Sequence, residues 1–180
     1  MRISTSQIIV LGVICVSASV AISAMLGAKV AQPMVDNPLV GVWRFEKEVD
    51  NEADGKVVAT ITSNQKHGFI IYTADMFVSA IIMPSNRSWV LGSATRDQLV
   101  ASADDGTAYA GRYEINRLNQ SVTHILAASF EPAYEGERLV RNFKLNGDTL
   151  ELSGTYSSQG KIFSFTLILL RSLPGKASNP

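Results

Sequence analysis

The chain has 180 residues, with 16 Lys and Arg balanced by 16 Asp and Glu, and 46% of it is hydrophobic. The even charge leaves no basic footprint for nucleic acid and no acidic or basic tail, and the composition is that of a globular chain rather than a disordered one. Its one cysteine, Cys15, falls in an N-terminal apolar run, so the rest of the chain has no disulfide and no thiolate for catalysis or metal binding.

Arg2 precedes a stretch, residues 3–28, without a charge, and Ser19-Val20-Ala21 and Ile22-Ser23-Ala24 have the small-residue spacing of signal-peptidase sites. Residues 1–28 are therefore read as a signal peptide or, if uncleaved, a membrane anchor. Either way the remainder is expected outside the cytoplasm, secreted or periplasmic, and possible membrane contact is through this segment alone. Residues 29–37 form a polar linker, 38–172 the domain and 173–180 a tail.

Within the domain the hydrophobic pattern has period two, and turn residues recur at hairpin spacing. Strands are expected over 39–49, 56–62, 69–73 and 76–83, with a polar turn ending at Gly68 and a tight Ala74-Asp75 connection. The next segment, 84–106, differs. Thr95 and Gln98 have capping-box spacing, Leu99 to Ala101 continue into a short helix, and Asp104-Asp105-Gly106 ends it. Trp89, Val90 and Leu91 in this segment call for burial, as a lid over a barrel mouth or as a permanent plug. Strands resume over 108–116, 121–130, 138–145, 149–156 and 161–171. About nine short strands with one helix, joined as consecutive hairpins, point to an all-β, antiparallel up-and-down barrel, since closure removes exposed sheet edges.

Gly41-Val42-Trp43 opens the first strand and Arg171 ends the last. This pair resembles lipocalins and their calycin relatives, in which a basic residue after the final strand packs across the indole of a Gly-x-Trp; Gly41, Trp43 and Arg171 are thus implied to close the barrel. Further segments in order, Gly68 to Asp75, Ser79-Ala80, Tyr109 to Tyr113, His124, Pro132 to Gly136, Arg141-Asn142-Phe143 and Leu145 to Asp148, resemble the bacterial and fungal lipocalin-like domain family. Two residues depart from that pattern: Met76 stands where the family commonly has glycine, and Tyr134 where it has tryptophan. The resemblance implies a calycin-type barrel. It leaves function open, because some relatives resemble ligand carriers and others are linked to ring-forming or hydrolytic steps of secondary metabolism.

Alternation selects the interior. Tyr109, Gly111, Tyr113 and Ile115 share one face; Val122, His124, Leu126, Ala128 and Phe130 another; Leu139, Arg141, Phe143 and Leu145 a third; and Phe163, Phe165, Leu167 and Leu169 a fourth. Arg141 and His124 should point inward beside Tyr109 and Tyr113, and a charged group inside a barrel costs several kcal/mol unless partnered. These four are the expected ligand-binding residues, an apolar cup with a cationic and phenolic end suited to a small hydrophobic molecule of acidic, fatty or polyketide type. Against this stands a structural role, His124 as a hydrogen-bonded core residue and Arg141 as a closing group.

Three readings follow. The first is a non-catalytic binder. In the second, an isomerase, cyclase or hydrolase, His124 is the acid–base group and Arg141 or Tyr113 steadies an oxyanion. The third is an envelope module whose barrel is filled by Tyr109, Tyr113, Phe130, Phe143 and Phe163. No cofactor is implied, and no metal: His67 and His124 lie far apart and no cysteine joins them.

Overall fold

The computed structural model describes residues 37–172; Cys15, the signal or anchor segment, nearly all of the linker and the tail lie outside the described residues. Nine strands follow one another: β1 (Gly41–Glu52), β2 (Val57–Thr62), β3 (Lys66–Tyr72), β4 (Phe77–Pro84), β5 (Thr107–Asn116), β6 (Ser121–Ser129), β7 (Arg138–Asn146), β8 (Thr149–Ser158) and β9 (Lys161–Arg171). Helix α1 (Arg96–Asp105) joins β4 to β5, and a 3-10 turn at Pro132–Tyr134 joins β6 to β7.

Every neighbouring pair is antiparallel, and β9 returns to pair with β1 along Trp43 to Glu52. β1 is long enough to serve two partners on its other side, β3 at Gly41 to Arg44 and β2 at Lys47 to Asn51. Eight strands therefore close the ring and β2 is an added flap, which refines the expectation of a nine-strand barrel. The meander closes because each short turn can only return the chain antiparallel to its predecessor.

The two ends of the barrel differ. At the start of β1, Leu39, Trp43, Phe45, Tyr72, Tyr113, Val122, Leu150, Leu152 and Leu169 are almost wholly buried. Toward the opposite rim, where α1 and the 3-10 turn lie, the inward residues Tyr109, Leu139, Arg141, Tyr156 and Phe163 are only partly buried. The first end is packed solid; the second opens toward solvent.

Several expectations fail for identifiable reasons. Gly68 is not the end of a turn. It lies inside β3, where a Cβ would collide with the Ile81 carbonyl, and His67 is an outward strand residue bonded to Ser85 Oγ at 3.1 Å. The inward register of β6 also breaks. Gly111 pairs with Leu126 but Ala110 with Ala128, so Ala127 is an extra residue and the side chains beyond it change face. Ala128 and Phe130 consequently point outward, Phe130 with 56% of its surface exposed, and Phe130 is not barrel filling. Gly111 permits this bulge, since a Cβ there would strike the Ile125 carbonyl. Leu145, near the end of β7, is also exposed.

The segment before α1 is another correction. The capping box forms, Thr95 Oγ1 accepting from Gln98 N at 3.3 Å and Gln98 Oε1 accepting from Thr95 N at 2.9 Å. Yet α1 buries no residue, and Val90 and Leu91 are 76% and 99% exposed. A plug would have hidden them. Met76 has a left-handed backbone, φ 67°, which glycine adopts freely and which costs a non-glycine residue about 1–3 kcal/mol.

Candidate functional site

Trp43 and Arg171 meet at the packed end. The guanidinium lies 4.0 Å from the centre of the indole, and its nitrogens donate to the carbonyls of Val40 at 2.9 Å and Pro38 at 3.1 Å. The indole N–H donates to Leu39 O at 2.7 Å. A Cβ on Gly41 would come within 2.8 Å of the Arg171 guanidinium, so glycine keeps that place clear. The cluster ties the two terminal strands to the segment that enters the barrel.

A polar group occupies the middle of the opposite wall. β3, β5 and β6 bring Tyr72, Tyr109 and His124 together because Tyr72 follows Ile70 on the inner face, Tyr109 precedes the bulge and His124 follows Val122. The fully buried imidazole is held from both sides, Nε2 at 2.8 Å from Tyr72 Oη and Nδ1 at 2.9 Å from Tyr109 Oη. Burial, reinforced by the Arg141 charge, lowers its pKa from the ordinary 6.5 to about 3. Burial likewise drives Tyr72 well above the usual phenolic value and Tyr109 up to about 12. All three are neutral across the physiological range.

A neutral imidazole has one N–H and one acceptor nitrogen, so one tyrosine donates to it and the other accepts. Neither Tyr72 nor Tyr109 has another hydrogen-bond partner among the described residues, but Tyr72 is wholly buried and Tyr109 only partly, so an O–H stranded at Tyr72 is the costlier, by about 1–3 kcal/mol. The favoured order is therefore Tyr72 O–H to Nε2 and Nδ1–H to Tyr109 Oη, which frees the Tyr109 hydrogen at the less buried rim. Nitrogen-15 spectroscopy of the histidines should show one Nδ1–H tautomer, unprotonated at pH 6, that is lost or mixed in Tyr72→Phe. An Nε2–H imidazole in the wild-type protein would disprove the order.

Arg141 lies on the inner face of β7, partly buried, with its guanidinium 4.8 Å from the centre of the Phe165 ring. It crosses Gly154 of β8, where a Cβ would lie 3.1 Å from Arg141 Nη1 and 3.0 Å from the Phe165 ring. Its hydrogen bond goes to its own neighbour, Val140 O, at 3.2 Å, and no carboxylate within salt-bridge distance neutralises it among the described residues. Tyr113 is differently placed. Its ring packs edge-on against Tyr72 at 5.0 Å, but its hydroxyl donates to Thr73 O at 2.8 Å and accepts from Asn37 Nδ2 at 2.7 Å. Of the four expected residues, Tyr109 and His124 are bonded to each other and the inward Arg141 is near enough for its charge to act on both, while the Tyr113 hydroxyl is bound up at the packed end.

The inward polar residues that escaped the sequence reading include Tyr72, Tyr156, Glu48 and Asp50. Tyr72 was legible from its alternation with Gly68 and Ile70. Glu48 and Asp50 were not, because a bulge at Glu46 moves the inward face of β1 from odd to even numbers. Two depressions, about 120 Å³ between residues 84–89 and α1 and about 190 Å³ near Asn119, Asn142 and Thr166, include none of Tyr109, His124 and Arg141.

A closed antiparallel barrel, packed at one end by an arginine on a Gly-x-Trp and carrying a cation and phenols toward the other, defines a calycin-type protein, a fold that generally holds small hydrophobic ligands. The model of the lipocalin-like domain family matches residues 40–169, and the chain belongs to that family. A search of curated proteins found no match.

Proposed function

We propose that this chain is an extracytoplasmic binder of a small, mostly apolar molecule with an acidic head, held in the barrel between the free Tyr109 O–H and Arg141. The observation that carries the reading is the inward Arg141, which has no carboxylate partner yet sits over Phe165 beside neutral tyrosines. A fatty or polyketide carboxylate supplies the missing anion and covers the rings. The apolar N-terminal run supports a place outside the cytoplasm.

The catalytic reading fares worse. A general base works best with a pKa near the operating pH, whereas His124 titrates at about 3 and both its nitrogens are engaged. The filled-barrel reading draws support from the two depressions, which avoid the polar group, but it leaves the Arg141 charge unanswered.

Native mass spectrometry of protein from its own host should reveal a retained apolar acid. In titrations, Arg141→Met should weaken dodecanoic acid about ten- to a hundredfold while leaving dodecanol unchanged, from the roughly 1.5–3 kcal/mol of a hydrogen bond to a charged group. Wild-type protein that takes up no apolar compound, or an Arg141→Met protein with undiminished affinity for the acid, would remove the reading.

A further inference from the structure

The barrel carries a second polar station on the wall facing the first. Asp50 of β1 is directly opposite Phe165 of β9, so its side chain shares the inner face with that buried ring. Only 8% of Asp50 is exposed. One oxygen, Oδ2, accepts from Tyr156 Oη at 3.3 Å; the other, Oδ1, is buried with no hydrogen-bond partner. Tyr156 is braced by Phe163, stacked at 5.4 Å, and by Phe165 at 6.4 Å. Glu48, two residues before Asp50 and on the same face, has Lys66 Nζ at 3.9 Å. Two acids against one lysine leave the station short of positive charge or of donors.

An unpartnered buried carboxylate oxygen is costly, and a protein gains by meeting it with a donor. Arg141, Gly154, Phe165 and Asp50 form one row across β7, β8, β9 and β1, each the partner of the next or one residue removed from a stated pair. Three strand spacings, about 14 Å, separate the backbones at the ends of that row, and the Arg141 side chain crosses Gly154 to the Phe165 ring, so the two charged heads lie closer together than their backbones. The aromatic face of Phe165 lies between.

We propose that Asp50, with Tyr156, is a second ligand subsite that takes a hydrogen-bond donor, a hydroxyl or an ammonium, at the end of the ligand remote from the acid. This rests on the proposed lumen-binding function and adds to it: the ligand is two-headed, with an apolar body between the Arg141 and Asp50 ends. Burial raises the pKa of both Asp50 and Glu48, in keeping with carboxyls that gain from an incoming donor or cation.

The test is a titration of the full domain with saturated fatty acids from octanoic to hexadecanoic and with their ω-hydroxy and ω-amino derivatives. At the best-fitting length, the wild-type protein should bind a derivative about tenfold or more tightly than the parent acid, and Asp50→Leu should abolish or reverse that preference while still binding the parent. A larger gain for the ω-amino acid identifies a cation site, and a larger gain for the ω-hydroxy acid a neutral donor site. If no parent acid binds the wild-type protein, the lumen-binding function itself fails. If parents bind but no derivative binds better, only the Asp50 subsite is overturned, Oδ1 then being met by water alone. A preference that survives in Asp50→Leu overturns it as well. Should Asp50→Leu not fold, Asp50→Asn takes its place and is expected to lose most of the ω-amino preference, and the wild-type comparison still decides.

Discussion

Trp43→Ala is expected to lower the unfolding free energy by about 3–5 kcal/mol, the usual loss for emptying a buried tryptophan site. Three things disappear together: the packing of a wholly buried indole against the packed end of the barrel, its N–H bond to Leu39 O, and the face on which Arg171 rests. Once that face is gone, the guanidinium keeps its bonds to Val40 O and Pro38 O but no longer spans from β9 to the core of β1. Arg171→Met should cost less, because cation–aromatic stacking contributes about 0.5–2 kcal/mol and the methionine retains part of the contact. Urea unfolding of both variants tests this. A Trp43→Ala loss below about 1 kcal/mol would show that the barrel does not depend on this corner.

The second large effect concerns acid. His124 has a folded-state pKa of about 3 against the ordinary 6.5. Between those values the unfolded chain binds a proton that the folded chain refuses, so unfolding free energy falls as pH drops from about 6.5 to about 3. Above 6.5 the term is constant. Its full size is on the order of 5 kcal/mol. Glu48 and Asp50 act in the opposite sense: their raised pKa values add stability as pH falls and remove it as pH rises through them. They are common to the wild-type protein and to His124→Gln, so the difference between the two isolates the imidazole. The wild type should be the more stable near pH 7, since glutamine cannot bridge both tyrosines, and its advantage should shrink steadily toward pH 4. An advantage that stays constant over that range would mean that His124 titrates normally and is not sealed between Tyr72 and Tyr109.

How far the molecule could be read from its sequence depends on what kind of regularity each residue obeys. Where a strand runs without interruption, parity is reliable: Tyr109, Gly111, Tyr113 and Ile115 share a face, as do Phe163, Phe165, Leu167 and Leu169. A single extra residue defeats it. The bulge at Ala127 turned Phe130 out to solvent, and the bulge at Glu46 turned Glu48 and Asp50 in, where acids look misplaced by composition alone. Tyr72 belonged to a regular strand and could have been found. The failure at residues 89–91 had another source, since hydrophobicity states a preference for burial but not whether any partner surface is within reach.

The sequence by itself determined the class of fold. Period-two alternation broken by turn residues can form little else than a meander of hairpins, and a meander with apolar inner faces gains by closing. The Gly41, Trp43 and Arg171 corner was legible only through the resemblance to lipocalins, and it forms because the first and last strands meet. Tertiary structure alone decided which polar groups share the interior. Closure sets residues from β1, β3, β5, β6, β7 and β8 across one narrow space, and the bulges rotate individual side chains into or out of it. Those are long-range consequences of strand register, and no local stretch of sequence contains them.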